Sequence, residues 1–264
     1  MTLENSWNPD QYRRFASERS LPFYDLLDLV DPMETPSVAD LGCGSGELTA
    51  HAHRVLGAKT TKGFDISTPM LERARTLESP GLTFLRGSVE ELIREGPYDI
   101  IIANASLQWI PDHSRVLGEL RGALKAGGQI AIQVPHNAWH PSHVIAHEIA
   151  TREPYSSAFG QGVPGDPVAA NVWEAPNYAV FLANLGAVSQ RVRAEVYLHH
   201  LESPLELVEW MNGTSLNRFR ASLPPDLFEA YLREYRDEIV AQLGDVGPYL
   251  YAFERILMWA RFEP

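Results

Sequence analysis

The sequence predicts an α/β fold built on a doubly wound, mainly parallel sheet. Three observations carry that expectation. Short apolar strands alternate with helical segments between residues 37 and 134, a glycine-rich loop follows the first strand, and an acidic residue closes the second. Alternation at this pace makes βαβ units, and right-handed crossovers wind them to both sides of the first strand.

The elements follow in order. Residues 21–30 read as an amphipathic helix, with Phe23, Leu26, Leu27 and Val30 near helical spacing. Ser37–Leu41 is a short apolar strand running into Gly42-Cys43-Gly44-Ser45-Gly46, with a helix over 47–56. A second strand over 60–64 ends at Asp65, a second helix covers 69–77, and a third strand covers 82–85. Residues 98–103, YDIIIA, are apolar enough to be buried on both faces, as parallel strands are. A helix over 113–124, a turn at Ala126-Gly127-Gly128 and a fifth strand over 129–134 complete the regular part.

After Pro135 the regularity breaks. Residues 151–174 carry Pro154, Pro164 and Pro167 with several glycines, a composition suited to a lid or binding loop. A helix over 175–185, a strand over 190–198, helices over 204–211 and Pro225–Leu243, and a last long strand over Tyr249–Phe262 follow. The expected organisation is a core at 1–200, a helical cap at 201–247 inserted between the last two strands, and a return to the core sheet at 248–264.

Composition narrows the function. The 264 residues include 22 Lys+Arg against 34 Asp+Glu, a formal net charge of −12, with 45% hydrophobic and 21% charged residues. That is ordinary globular composition, and no basic run overrides the acidity, so nucleic acid and anionic membrane are poor partners. Cys43 is the single cysteine, which excludes a disulfide framework or a cysteine-based zinc site within one chain. No stretch approaches the ~20 apolar residues of a membrane span, and the first residues lack the apolar core of a signal peptide. A cytoplasmic protein is the expectation.

The glycine loop narrows it further. Glycines between a strand and a helix let the backbone approach a ligand beyond the carboxyl ends of the strands. A dinucleotide fingerprint needs glycines at relative positions 1, 3 and 6. Here they fall at Gly42, Gly44 and Gly46, and Glu47 stands where the third is required. A carboxylate at that mouth suits a cofactor without a diphosphate. Asp65, at the end of the second strand, can accept both hydroxyls of an unphosphorylated ribose. Ser88 and Val89 lie just past the third strand, where an adenine edge would lie, and Asn104 follows the fourth.

The segments DLGCGSGELT, GFDIS and IIANASLQWIPDH resemble the class I S-adenosylmethionine-dependent methyltransferases. More narrowly, WNPDQYRRFASERSLP, NASLQW with PDH, IAIQVPHN with PSHV, and EWMNGTSL are similar to the trans-aconitate methyltransferase family, over most of the chain. The resemblance implies a seven-stranded, Rossmann-like methyltransferase sheet with a helical cap, S-adenosylmethionine as cofactor and S-adenosylhomocysteine as product. It places Asp40, Gly42 and Gly44 around the methionine part, Asp65 on the ribose, Met70 and Ser88 near the adenine, and Asn104 with Trp109 under the transferring methyl. Cys43, Ile66, Val89 and Ala105 are their neighbours in the same loops. Two departures stand out: Ser88 replaces the family's usual acid, and Ser215-Leu216-Asn217-Arg218 replaces a Gly-Leu-Arg-Pro stretch, in which the expected carboxylate-binding arginine is either shifted by one position or lost.

Methyl transfer to a carboxylate is an in-line displacement by a group already ionised at neutral pH, so no catalytic base is assigned. The expected partner is a small-molecule acceptor, a carboxylic acid, which needs cations against the acidity of the chain. The candidates are Arg19, Arg218 and Arg255, with Tyr12 and His143 as further pocket residues. A larger, more apolar acceptor, or a noncatalytic module that keeps the fold, are the competing expectations. His140, His143 and His147 would share one helical face beside Glu148, but a three-histidine site needs converging geometry, and no metal is expected.

Overall fold

The computed structural model describes residues 16–263, with side chains from Ser20 onward. These residues form two compact units. The first consists of Ser17–His136, Asn171–Glu195 and the chain from Glu254 onward, and the second, among the described residues, of Asn137–Ala170 and Val196–Phe253.

One seven-stranded sheet is formed by β1 (Ser37–Leu41), β2 (Thr60–Asp65), β3 (Leu82–Arg86), β4 (Tyr98–Asn104), β5 (Leu124–Pro135), β6 (Ala187–Leu201) and β7 (Tyr249–Phe262), of which β1 to β5 lie wholly, and β6 and β7 in part, in the first unit. The spatial order is β3-β2-β1-β4-β5-β7-β6. Strands β1 to β5 pair in parallel, and β7 runs antiparallel to β5, pairing Gln129 with Arg261 and Pro135 with Arg255. The chain therefore winds outward from β1 through β2 and β3, then crosses to β4 and β5 on the other side. The switch point lies between β1 and β4.

The centre of the sheet is buried on both faces. Ile100, Ile101, Ile102 and Ala103 of β4 and Ile130, Ala131 and Ile132 of β5 are all inaccessible or nearly so. Both residue parities along each strand are apolar, which is why these segments read as continuous rather than alternating runs. Behind the end of β4, buried His113 ties the following loop down: one ring nitrogen meets Tyr178 Oη at 2.6 Å and the other Leu107 O at 2.9 Å. Burial keeps its pKa below the ordinary histidine value, and Trp173 stacks on Tyr178.

The element boundaries shift where local chemistry overrides pattern. The first helix is Ala16–Leu27 rather than 21–30, because the chain leaves the helix through short i→i−3 bonds from Leu29 to Leu26 and Val30 to Leu27. The expected turn at 126–128 lies inside β5. There the pairing slips from Tyr98↔Leu124 to Ile100↔Gln129, so Lys125–Gly128 form a bulge with Gly127 at φ 76°. The helix Val89–Arg94, not anticipated above, is fixed by a capping box in which Glu91 Oε2 accepts from the Ser88 backbone and hydroxyl at 2.9 and 2.8 Å.

The second unit is helical, with Pro141–Ala150, Pro204–Asn212, Asn217–Arg220 and Pro225–Leu243 as its main helices. It is larger than the 201–247 segment expected as a cap, because Asn137–Ala170 belongs to it as well. Its core is aromatic: Trp210, Phe219, Phe228, Tyr231, Tyr235 and Tyr251 are all buried. The tyrosines carry their hydroxyls onto backbone acceptors, Tyr231 to Ala146 O at 2.8 Å and Tyr235 to Ser142 O at 3.0 Å, which satisfies polar groups that burial would otherwise penalise. Among the described residues no helix is long and apolar enough to cross a membrane.

Candidate active site

The sheet register gathers the first set of candidates. Asp40 pairs with Gly63 of β2 on one side and Ile102 of β4 on the other. Asp65 and Asn104 each lie two residues beyond those partners, so all three occupy the carboxyl ends of neighbouring parallel strands at the switch point. Strand β1 then enters the glycine loop, whose first two amides, Gly42 N and Cys43 N, both donate to Phe64 O at 2.7 and 3.0 Å. Gly42, Gly44 and Gly46 all have positive φ (79°, 55° and 85°), the region glycine enters without strain. Two of them also lack room for a side chain: a Cβ at Gly42 would overlap Ser106, and one at Gly46 would press on Phe84 and Ala74. At Gly44 a Cβ would meet nothing within 4 Å, so space opens in front of that part of the loop.

Asp65 is the clasp of this loop. Its two carboxylate oxygens accept from Gly44 N and Ser67 N, each at 2.8 Å, and each oxygen keeps a further lone pair for a hydroxyl. Burial raises its pKa and the backbone donors oppose that rise. Asp40 is buried more deeply. Thr49 Oγ1 donates to its Oδ2 at 2.6 Å, while Oδ1 has no hydrogen-bond partner among the described residues. Burial, countered by Thr49 and reinforced by the charge of Asp65, pushes the Asp40 carboxyl up to about 7. Asn104 Oδ1 is likewise buried and unpartnered among the described residues. Two orphaned oxygens beside the Asp65 carboxyl and an open glycine call for a ligand rich in N–H and O–H donors and carrying positive charge. S-adenosylmethionine, with its sulfonium, ammonium and ribose hydroxyls, fits that donor set.

The remaining cofactor candidates separate by environment. Ile66 is exposed beside Asp65, and Met70 is buried in the helix Thr68–Ala74. The Ser88 hydroxyl is engaged by Glu90 and Glu91, its amide by Glu91 and its carbonyl by Leu92 N, and Val89 packs into the sheet core, so this turn is committed chiefly to starting its helix. Cys43 packs against Leu71, Ala74, Leu82 and Phe84, and burial drives its thiol pKa far up, which leaves it an inert filler. Ala105 is held at φ 51°, and half-buried Trp109 follows in the short helix Leu107–Trp109. Ser106, not singled out from sequence, joins the loops after β1 and β4 by donating to Leu41 O at 2.6 Å.

The acceptor candidates divide between the units. Arg255 belongs to the sheet unit, where it is buried and its Nη1 donates to Gln133 Oε1 at 3.3 Å. Tyr12 lies outside the described residues, as does the Arg19 side chain. Within the helical unit His143 and Arg218 come together through Asp166. His143 Nδ1 meets Asp166 Oδ2 at 2.7 Å, and Arg218 Nη2 lies 3.4 Å from the same oxygen. Arg218 is 4% exposed. Its Nη1 donates to Ser215 O at 2.7 Å and its guanidinium lies over the Phe219 ring at 4.3 Å, but Nε and Nη2 have no hydrogen-bond acceptor among the described residues. Asp166 was concealed in the irregular 151–174 stretch. Its signal is the Asp-Pro pair that opens the helix Pro167–Asn171, where Oδ1 accepts from Val168 N at 2.9 Å.

The three histidines do not converge. His140 caps the helix Pro141–Ala150 and meets Tyr249 Oη at 3.0 Å, His143 is committed to Asp166, and His147 is exposed. Burial, with His143 nearby, lowers the His140 pKa to about 4, so its ring is neutral at ordinary pH. Among the described residues no group of three His, Cys, Asp or Glu could hold a metal ion.

Known proteins place this architecture. Residues 39–132 match a family model described as a methyltransferase domain. The fold is shared with phosphoethanolamine N-methyltransferase 2 of Haemonchus contortus in complex with S-adenosyl-L-methionine, at a TM-score of 0.53 and 16% identity over 92% of this chain and 52% of that one. Similarity in sequence runs much further. A trans-aconitate 2-methyltransferase of Deinococcus radiodurans is 37% identical over 97% of this chain and 98% of its own length. One from Paracidovorax citrulli is 36% identical over 97% and 98%. With sheet order, glycine loop and chain-long similarity in agreement, the protein belongs to the trans-aconitate methyltransferase family.

Proposed function

We propose that this protein is an S-adenosylmethionine-dependent methyltransferase that O-methylates a carboxylate of a small organic acid of the trans-aconitate kind. Membership of the family supports the reaction. The observation that carries the acceptor class is Arg218, a buried guanidinium whose Nε and Nη2 have no hydrogen-bond acceptor among the described residues. That edge is the fork that matches a carboxylate in two parallel bonds.

When bound, S-adenosylmethionine supplies a methyl group already activated by its sulfonium. Asp40, Asn104 and the loop Gly42–Gly44 would hold its charged end, and Asp65 its ribose, with Ile66, Met70 and the turn at Ser88-Val89 about the adenine. The protein's own work is alignment and exclusion of water, since a carboxylate needs no base to become a nucleophile. Arg218 anchors and orients the acid, and His143 keeps Asp166 in place beside it. In this reading Arg218, His143 and Asp166 of the helical unit carry acceptor selection while the sheet unit carries the cofactor.

The test is a screen of organic acids with methyl-labelled S-adenosylmethionine. Label should appear as a base-labile methyl ester with a polycarboxylic acid as acceptor. Transfer confined to phenols, amines or carbon nucleophiles refutes the proposal.

A further inference from the structure

Asp166 is the one acidic side chain that pairs with the Arg218 guanidinium among the described residues. It does not cap the fork of Arg218: at 3.4 Å from Nη2 it balances the charge without filling the hydrogen bond, and its Oδ2 is spent on His143 at 2.7 Å. Oδ1 is held by Val168 N at 2.9 Å, so both oxygens are fixed and the carboxylate cannot swing away. Burial pushes the Asp166 carboxyl up, but the His143 hydrogen bond and charge and the Arg218 charge outweigh burial and bring it to about 2, so it stays ionised at ordinary pH. Tyr231 and Tyr235, the other polar groups coupled to Arg218, are neutral phenols with their hydroxyls on backbone carbonyls.

The Arg218 guanidinium and the fixed Asp166 carboxylate oppose each other in charge, with His143 on the same carboxylate oxygen, and the guanidinium keeps two buried donor nitrogens without a hydrogen-bond acceptor among the described residues. One incoming carboxylate gains both hydrogen bonds. A second carboxylate close to the first on the same molecule meets the Asp166 charge in a poorly solvated place, where like charges repel strongly. Resting on the functional reading above, we infer that Asp166 is a specificity-determining residue. Its fixed carboxylate favours acids that present one carboxylate to Arg218 over acids that crowd a second carboxylate against it.

The experiment is titration calorimetry on protein saturated with S-adenosylhomocysteine, at slightly alkaline pH, with maleate, maleamate and trans-aconitate. Maleate and maleamate share a skeleton and differ by one charge next to the anchored carboxylate. In the native protein maleamate should bind about fivefold more tightly than maleate. In Asp166→Asn, which keeps the acceptor for Val168 N, maleate should gain about tenfold and maleamate less than about threefold. Equal affinities in the native protein, or a variant that weakens or strengthens both acids alike, overturn the inference. The native comparison decides by itself if the variant does not fold. Failure of all three acids to bind the native protein overturns this inference and the functional reading together, whereas binding without charge preference overturns the inference alone.

Discussion

Asp40 offers the sharpest physical test of the cofactor site. Its carboxyl is raised from 3.8 to about 7 by burial, only partly offset by Thr49. At about 1.4 kcal/mol for each tenfold change in proton affinity, ionised Asp40 makes the cofactor-free folded state about 4 kcal/mol less stable than it would be with an unperturbed group. The folded protein binds this proton more tightly than the unfolded chain. The Asp40 contribution to stability is therefore fully present below about pH 4, declines as pH rises, and is lost above about pH 7. A cationic cofactor reverses the balance by favouring the carboxylate, so binding should expel the proton. At about pH 6, titration of S-adenosylmethionine in buffers of different ionisation heat should report release of close to one proton beyond that seen for Asp40→Asn, and the difference should vanish near pH 8. The Asp40→Asn protein should also show a flatter stability profile between about pH 4 and pH 7 in urea titrations. Equal proton release from both proteins at about pH 6 would refute the assignment of Asp40 to the cationic end of the cofactor.

Three further outcomes follow from the same geometry. Asp65→Ala removes the acceptor of Gly44 N and Ser67 N, and two charge-assisted bonds at about 1.5–3 kcal/mol each predict a lower Tm by calorimetry together with at least about tenfold weaker cofactor binding. Gly42→Ala forces a left-handed alanine against Ser106, and about 1–2 kcal/mol of backbone strain plus about 1–3 of overpacking should appear as about 2–5 kcal/mol lost in urea unfolding. Arg218→Ala removes the guanidinium beside Asp166 and the donor to Ser215 O while the His143 contact to Asp166 remains, so stability should fall by about 1.5–3 kcal/mol. In the same variant the acceptor KM should rise with the cofactor Kd unchanged; an unchanged KM would return Arg218 to a structural role.

The centre of the sheet was legible in the sequence because β4 is a short apolar run buried on both faces, and the last strand matches the expected bounds Tyr249–Phe262. The candidate cofactor positions could be named from the sequence because a glycine loop and an acidic strand end are local signals. The helix Val89–Arg94 was also written locally, in the Ser88–Glu91 capping box, and recognising it would have assigned the Ser88 hydroxyl to the helix start. The acceptor side was hidden for a different reason. Asp166 reaches His143 across 23 positions and Arg218 across a further 52-residue separation, and neither pairing leaves a periodic trace. The helix Pro141–Ala150 was obscured because Ser142, His143, Ile145, Ala146, Ile149 and Ala150 are all buried, so polar residues fall on its buried side.

The central claim is methyl transfer to a carboxylate, and one measurement addresses it directly. The protein is incubated with methyl-labelled S-adenosylmethionine and trans-aconitate, the product is isolated, and label is counted before and after mild alkaline hydrolysis. The account predicts a labelled ester that surrenders its label as methanol in base. A labelled product that survives base, or no product from trans-aconitate or any other organic acid, would contradict it.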